Sequence, residues 1–397
     1  MAESMRSVLL LAGLLGMLGC QPRKPPAPPP PPARLTLVAV GDILMHQDVK
    51  RAAQENLIGF RGLWADVQPI FDQADVVFGN LESPIAPTTG HPGQPFVFNA
   101  PWDAPFAFKA SGFEVLSTAN NHAFDQGSKG VLETLEHLDR LGLTSVGTGR
   151  NRAQAEAPRI LERKGIRIAF LAYTDLFNTD LNRDPNDPWV GRLDLAKAVT
   201  AVRSARDQAD AVVVSLHWGI EYEHQPRSRQ RLLAAQLIAA GADLLLGHHP
   251  HVLQPLEWIE SGGRRGAVTF SLGNFISNQD RIYDPNTMPV SAGDDRDSAA
   301  LIATFSKTSD GTVLESLRME PLWTENNWVR FASGLEGRRE IRVVRAQAVG
   351  GLLGLRREHI KKTLYPPTLD YLSTLGAGLA SPRMMPSTSP QTAANPI

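Results

Sequence analysis

Cysteine is almost absent from this sequence, because Cys20 is the only one among 397 residues. A disulfide within the chain is therefore impossible, and so is a zinc site built from several thiolates. An excess of charge is also missing, since 40 Lys and Arg balance 41 Asp and Glu without a long basic block. Proteins that bind nucleic acid gain most of their affinity from clustered Lys and Arg that contact phosphates. We therefore expect no nucleic acid among the partners.

The first apolar run is too short to cross a membrane. Residues 8–18 are uncharged and follow Arg6, whereas a bilayer span needs about 20 apolar residues. The run leads into Met-Leu-Gly-Cys, which resembles a bacterial lipobox ending at Cys20. This predicts a lipoprotein signal peptide over residues 1–20, lipidation of Cys20, and an exported chain anchored to a bacterial membrane at its periplasmic or cell-surface face. A plain secretory signal or a short uncleaved anchor is the alternative.

Three further segments differ from a globular domain in composition. Residues 21–34 contain eight prolines, and proline fixes φ and lacks an amide donor, so they predict an extended linker. Residues 346–380 predict a helical C-terminal extension, and residues 381–397, rich in Ser, Thr, Pro and Ala, predict a disordered tail. The extension carries a basic cluster that is typical of a solvated face: Arg356, Arg357, Lys361 and Lys362.

Between these segments, short apolar runs alternate with amphipathic stretches. Apolar residues make up 42% of the chain, enough for a packed core. Strand-like runs fall at residues 35–40, 76–78, 115–116, 166–172, 211–216, 244–246 and 267–270. Residues 131–141 and 232–240 have the spacing of amphipathic helices. This alternation predicts a layered α/β domain over residues 35–345.

Six of these runs end at side chains that can bind a metal or a substrate. These side chains are Asp42, Asn80, Glu82, Asn120, Asn121, His122, Asp125, His217, His248, His249, His251 and Asn274. Ligands bind beyond the carboxyl ends of strands in α/β sheets, so we expect these residues on one rim. Carboxylate, amide and imidazole ligands without thiolate suit Mn, Fe or Zn. Two such metals sharing a carboxylate would activate water and favour an anionic substrate, such as a phosphoester, or a polarised carbonyl.

Each motif also has a purely structural interpretation. Asp42 follows a glycine and could cap a helix, Glu82 could pair with an arginine, and His122 could be a hydrogen-bonded core histidine. The histidines within residues 248–251 are different, because three imidazoles at a strand exit serve no packing purpose. The cluster therefore favours a functional site most strongly.

In order along the chain, the motifs resemble the CapA family of bacterial poly-γ-glutamate capsule synthesis proteins, which is similar to the calcineurin-like metallophosphatases. The resemblance covers residues 35–277 and rests on Gly41-Asp42, residues 80–84, residues 119–122 with Asp125 and Gly127, His217-Trp218-Gly219 with Glu221-Tyr222, residues 247–251 and residues 271–275. It implies a metallophosphoesterase-like α/β sandwich, with helices flanking mixed β-sheets.

The resemblance also implies a role for individual residues. The expected ligands of one or two divalent metals (Mn, Fe or Zn) are Asp42, Glu82 as the bridging carboxylate, Asn121, His217, His249 and His251. The expected catalytic residues are His122, as general acid, and Asp125. The expected substrate contacts are Asn80, His248, Glu221 and Asn274. Leu44 stands where the family pattern Asp-x-His has histidine, and the nearest histidine is His46. We therefore expect one of the two metal positions to be weaker or empty.

Together these features predict a lipid-anchored, metal-dependent, phosphatase-like hydrolase or transferase. Its expected partner is an anionic cell-surface polymer, such as poly-γ-glutamate, or its precursor, in capsule or envelope biosynthesis. A hydrolase or transferase of γ-glutamyl amides would need the same residues. The alternative is a non-catalytic polymer-binding accessory subunit of a membrane-embedded capsule synthase.

Overall fold

The computed structural model describes residues 32–347 and 349–366, and the folded unit begins at Ala33. The predictions for the signal peptide, for lipidation of Cys20, for most of the proline linker and for the tail at 381–397 lie outside the described residues. In the described part of the chain, no helix has the length and apolar character needed to span a bilayer.

Strands and helices alternate along the described chain. The strands are β1 Ala33–Ile43, β2 Val76–Leu81, β3 Phe113–Ser117, β4 Thr144–Val146, β5 Thr148–Gly149, β6 Arg159–Arg163, β7 Ile166–Thr174, β8 Trp189–Val190, β9 Ala211–His217, β10 Leu244–His248, β11 Leu256–Ser261, β12 Arg264–Thr269, β13 Asn274–Ile276, β14 Asp297–Thr308, β15 Gly311–Asn326 and β16 Ile341–Arg345. The α-helices are α1 Gln47–Gln54, α2 Phe60–Leu63, α3 Gln68–Phe71, α4 Ala104–Ser111, α5 Gly127–Arg140, α6 Arg152–Glu156, α7 Leu195–Gln208, α8 Ser228–Ala240, α9 Trp328–Ala332 and α10 Gly351–Leu364. Each of the seven predicted strand-like runs overlaps a strand.

Two mixed sheets contain most of these strands. The first has the order β16-β15-β14-β1-β2-β3-β4, with β13 also paired to β1, and the second has the order β11-β12-β10-β9-β7-β6. β1 to β4 are mutually parallel, as are β7, β9, β10 and β12. Antiparallel strands complete the sheets at β14 to β16, at β6 and at β11.

The two sheets pack face to face over a shared core. Phe78 of the first sheet stacks on Phe170 of the second, with ring centroids 6.1 Å apart. On the outer faces, Val38 packs in an apolar layer with residues of α1 to α4, and Val214 packs in another with residues of α7 and α8. The predicted α/β sandwich, with helices flanking mixed sheets, is therefore confirmed.

The described part of the predicted C-terminal extension, α10, packs into the same core. Ile360 and Leu364 are fully buried there. Arg356 is fully buried too, which contradicts the prediction of a solvated basic face at this position. Its Nη1 lies 3.2 Å from Asp294 Oδ1 and 3.1 Å from Asp297 Oδ2. The sequence pattern missed this because both acidic partners are about 60 residues away in the chain.

Candidate metal centre

The carboxyl ends of parallel strands from both sheets carry the predicted site. Asp42 lies in β1, and Glu82 directly follows β2. In the second sheet, His217 ends β9 and His248 ends β10. Across the two sheets, His217 Nε2 lies 3.5 Å from Glu82 Oε1, and His248 Nδ1 lies 3.2 Å from Asp42 Oδ1. Within each sheet the parallel strands end at the same edge. The two contacts show that these edges of the two sheets lie next to each other.

Two groups of potential metal ligands share Glu82. One group is Asp42, Glu82 and His217, and the other is Glu82, His249 and His251. Within each group the ligand atoms lie within 4.8 Å of one another, and every side chain is buried. Three protein ligands are typical of catalytic metal sites, which keep a position open for water or substrate. The arrangement is suited to two metals that share one carboxylate.

Two buried polar atoms without a partner also indicate that these residues could hold a divalent metal. Glu82 Oε1 and His249 Nδ1 are both buried and have no hydrogen-bond partner within the protein. A buried polar atom without a partner costs about 1–3 kcal/mol, and an ion is one of the few explanations for such atoms. Carboxylate and imidazole together suit Mn, Fe or Zn more than Mg or Ca.

The two buried carboxyl groups have opposite electrostatic environments. Burial, and then the negative charge of Asp42, raise the pKa of Glu82 well above its ordinary value. Burial also acts to raise the pKa of Asp42, but contacts with His248 and His251 outweigh it and hold that pKa well below its ordinary value. Asp42 is therefore the preformed anion of the pair, whereas Glu82 needs a nearby cation to ionise easily.

Two of the three candidate imidazole ligands are held in the neutral form that metal binding requires. Burial, and then the positive charge of neighbouring histidines, lower the pKa of His217 well below its ordinary value and that of His249 to about 3. Burial acts to lower the pKa of the third, His251, but the hydrogen bond with Asp42 and its negative charge outweigh burial and raise that pKa above its ordinary value. His249 and His251 also adopt φ angles of +97° and +62°. Such angles cost non-glycine residues about 1–3 kcal/mol and are concentrated at functional sites. The strained turn aims both rings toward Glu82.

Three of the predicted substrate contacts have no exposed surface. Asn80, His248 and Asn274 are fully buried in this structure, and contact between them and substrate stays a prediction. Each lies within a strand, where its side chain reaches the ligands from behind. Asn80 Nδ2 donates to Asp42 Oδ1 at 2.8 Å, and Asn274 Oδ1 lies 3.0 Å from His251 Nδ1. These residues orient the candidate ligands.

The fourth predicted substrate contact, Glu221, lies on the surface in the loop after β9. It forms no hydrogen bond or ion pair with any other described residue, although its charge contributes to the raised pKa of Glu82. The next residue, Tyr222, has its ring centroid 6.2 Å from that of His251. Contact between Glu221 and substrate stays a prediction.

The loop after β3 brings an acid–base pair to the same rim. His122 Nδ1 lies 2.8 Å from Asp125 Oδ2, which also accepts a hydrogen bond from the Phe98 backbone at 2.6 Å. The Phe98 ring packs on His122 with centroids 4.4 Å apart. The preceding residue, Asn121, has its Oδ1 2.8 Å from His217 Nε2. The loop thus joins a candidate ligand to a candidate proton donor.

His46 does not replace the histidine that Leu44 displaces. Leu44 is buried, and His46 belongs to neither ligand group. The His46 ring packs on Phe98, with its Nδ1 3.3 Å from the Asn278 backbone nitrogen. Burial, and then the charges of nearby histidines, lower its pKa to about 3. Sequence reasoning missed a different residue, Asn178, which contacts both Asn121 and His122.

A separate carboxylate, Asp294, ties α10 to the loop after β9. His224 Nε2 lies 3.2 Å from its Oδ2 and His359 Nε2 lies 3.0 Å from its Oδ1. Asp294, Asp297 and His359 are close enough to hold a metal. The guanidinium of Arg356 already supplies the positive charge between the two carboxylates, so we interpret the cluster as an ion-pair network.

The network predicts a pH-dependent stability. The hydrogen bond with Asp294 raises the pKa of His224 above its ordinary value. The His224–Asp294 pair therefore makes its full contribution to stability below a pH of about 6.5. This contribution is lost as the pH rises through the raised pKa of His224. His224→Gln should cost less than about 1 kcal/mol at pH 5.5, since the pair is partly exposed, and nothing at pH 8.5. Urea unfolding at both pH values measures this, and an equal cost at both would contradict it.

Comparison with known proteins identifies relatives in capsule synthesis. A family model described as "Bacterial capsule synthesis protein PGA_cap" matches residues 36–279. "PGA biosynthesis protein CapA" of Bacillus subtilis (strain 168) is 34% identical over 243 residues, which cover 60% of this chain and 62% of that protein. "Capsule biosynthesis protein CapA" of Bacillus anthracis is 34% identical over 254 residues, covering 62% and 60%. The match thus spans less than two thirds of either relative.

A third relative and one solved structure are more distant. "Probable polyglutamine synthesis accessory protein Rv0574c" of Mycobacterium tuberculosis (strain ATCC 25618 / H37Rv) is 27% identical over 219 residues, covering 50% of this chain and 56% of that protein. The crystal structure of "calcineurin-like phosphoesterase YfkN" from Bacillus subtilis aligns with a TM-score of 0.43 and 12% identity, covering 73% of this chain and 91% of that one. Because that TM-score is below 0.5, the fold assignment rests on the two sheets described above.

Proposed function

The chain belongs to the bacterial capsule synthesis protein family PGA_cap, and we propose that it is a metal-dependent, phosphatase-like hydrolase. Its substrate in this proposal is an anionic cell-surface polymer or the precursor of one. The observation that carries the proposal is Glu82, a fully buried carboxylate shared by two groups of potential metal ligands. The names of the relatives support a role in capsule synthesis.

Six side chains would hold one or two divalent metals in this proposal: Asp42, Glu82, His217, His249 and His251, together with Asn121, whose Oδ1 lies 2.8 Å from His217 Nε2. When bound, such metals polarise the substrate and activate water for attack. Asp42 is oriented for this role by Asn80 Nδ2 and by the His249 backbone nitrogen, which donates to its Oδ2 at 3.1 Å. Two divalent metals would carry more positive charge than the carboxylates of Asp42 and Glu82 can balance, and the excess would attract an anionic substrate.

His122 would handle the proton of the leaving group. Its Nδ1 is engaged by Asp125, so in this proposal Nε2, which lies 3.4 Å from Asn178 Nδ2, gives the proton to the departing oxygen or nitrogen. His122 is 6% exposed, so a substrate at the rim can reach only a small part of the ring. The pair therefore orients one nitrogen and leaves the other for chemistry.

The experiment that tests the proposal separates metal binding from catalysis. Full-length chain loaded with Mn²⁺ is incubated with bis(p-nitrophenyl) phosphate and with poly-γ-glutamate. We expect turnover that falls about 10²–10⁴-fold in His122→Ala, with unchanged Mn²⁺ content by elemental mass spectrometry. Metal-loaded wild type that hydrolyses neither compound, or a His122→Ala variant as active as wild type, would contradict the catalytic roles.

A non-catalytic role is the second candidate, and the printed name of the Mycobacterium tuberculosis relative, an accessory protein, favours it. In that case the chain would bind the polymer beside a membrane synthase. Polymer binding that survives His122→Ala, together with absent turnover, is the expected result. In either role, export and lipid attachment at Cys20 belong to the proposal, and a Cys20→Ser chain that stays in the membrane fraction would contradict the anchor.

A further inference from the structure

A side chain in the loop after β7 contacts two adjacent residues of the loop after β3. Asn178 lies in the loop between β7 and β8. Its backbone nitrogen donates to the Asn121 carbonyl at 3.1 Å, and its Oδ1 accepts from Asn121 Nδ2 at 3.2 Å. Its Nδ2 lies 3.3 Å and 3.4 Å from the two ring nitrogens of His122. One exposed side chain thus contacts a candidate ligand and a candidate acid.

The loop holds Asn178 in place through contacts on its other side. Arg192 pairs with Asp180 and lies over the Phe177 ring, 4.6 Å from its centroid. The Asn182 side chain donates to the Val190 carbonyl at 2.7 Å and accepts from the Val190 nitrogen at 3.0 Å. These bonds close the loop onto β8. Contacts other than those with Asn121 therefore also hold the loop on both sides of Asn178.

The contact with Asn121 decides which end of that amide faces the candidate ligands. An asparagine binds a metal through its oxygen, because its NH₂ group has no free lone pair to offer. Asn121 Oδ1 faces His217 Nε2 at 2.8 Å, while its Nδ2 donates to Asn178 Oδ1. Turning the Asn121 amide over would set two oxygens against each other at Asn178. Asn178 therefore holds the oxygen of Asn121 toward the metal groups.

We propose that Asn178 is a positioning residue, which orients Asn121 as a metal ligand beside His217. This inference rests on the proposed metal site. Partners that orient a ligand typically contribute about 10–100-fold to metal affinity. Asn178→Leu removes the acceptor at similar volume, whereas Asn178→Asp keeps an oxygen for Asn121. Asn178 is exposed, so both variants should fold as wild type does, and their melting temperatures check this.

The test measures Mn²⁺ dissociation constants of the full-length chain by equilibrium dialysis at pH 7.5. Where two Mn²⁺ dissociation constants are resolved, the larger is the one compared. Asn178→Leu should raise this constant about 10–100-fold, whereas Asn178→Asp should leave it at the wild-type value or lower it. Because the aspartate adds a negative charge, the control adds Thr179→Asp to Asn178→Leu, which supplies the charge on the neighbouring exposed residue without the acceptor. That double variant should stay as weak as Asn178→Leu.

The outcomes distinguish this inference from the proposed function. Equal Mn²⁺ affinity in wild type and Asn178→Leu overturns the positioning role and leaves the metal site standing. Full recovery in the double variant overturns it as well, since charge alone would then explain the aspartate. Wild type that binds no Mn²⁺ overturns the proposed metal site, and the positioning role falls with it.

Discussion

Glutamine in place of Glu82 is expected to abolish tight metal binding at both candidate positions. Glu82 is the only residue common to the two ligand groups, so one substitution removes the shared carboxylate from each. Loss of a residue that only orients a ligand lowers metal affinity about 10–100-fold. Loss of a direct ligand and its charge should lower the affinity further. Elemental mass spectrometry of the full-length chain, after Mn²⁺ loading and dialysis, should find less than one tenth of the wild-type content.

The control for this variant is Glu221→Gln, which removes a nearby negative charge from outside the ligand groups. It should retain the full metal content.

A metal-free comparison excludes unfolding as the cause. Burial and Asp42 raise the pKa of Glu82, so its ionised form destabilises the metal-free fold increasingly above pH of about 4.5. Metal-free Glu82→Gln should therefore resist urea at pH 7.5 at least as well as metal-free wild type. Full metal content in Glu82→Gln would refute the shared-ligand assignment.

Methionine in place of Arg356 should cause the largest loss of stability. The guanidinium is fully buried and faces Asp294 and Asp297, both of which are also buried. Removing one partner of a buried ion pair costs about 3–5 kcal/mol. Here Asp294 would keep His224 and His359, whereas Asp297 would lose the one ion-pair partner that it has among the described residues. Arg356 also lies 4.3 Å from the Trp323 ring centroid, a contact that methionine keeps only in part. Urea unfolding at pH 7 measures the change in free energy.

Arg357→Met is the matched control on the same helix. Arg357 is half-buried and has no ion pair with any residue that the structure describes, so its replacement should change stability by less than about 0.5 kcal/mol. Adding Asp294→Asn and Asp297→Asn to Arg356→Met should recover part of the loss, because the buried negative charges disappear. Equal stabilities of Arg356→Met and Arg357→Met would contradict the buried network.

Much of the ligand set could be predicted from the sequence alone. Asp42, Glu82 and His217 each stand at the end of an apolar run, and parallel strands bring such ends together whatever the strand order. The cluster at His249 and His251 was equally visible, since no packing need explains it. In the structure these five side chains form the two ligand groups that share Glu82. Local sequence patterns were enough to predict each of the five.

The side of the strand on which a residue lies could not be predicted. Asn80, His248 and Asn274 are in motifs together with the candidate ligands, and a motif gives no depth. Both faces of the central strands are buried, so the alternation of polar and apolar residues that would reveal orientation is missing. Asn178 was missed for another reason. It contacts Asn121 across the interface between the two sheets, and a contact of that kind leaves no local signal in the sequence.

The position of β1 has a consequence for the order of folding. The strand that carries Asp42 has β2 on one side, but along most of its length the other neighbour is β14, which pairs Leu35 with Phe305. A ribosome must therefore synthesise about three quarters of the chain before β1 can find its second partner. Until then its open edge is available to other chains, which makes the nascent protein prone to aggregation. Contacts so distant in sequence also predict slow folding, and a fragment that stops at residue 279 would keep the edge exposed permanently.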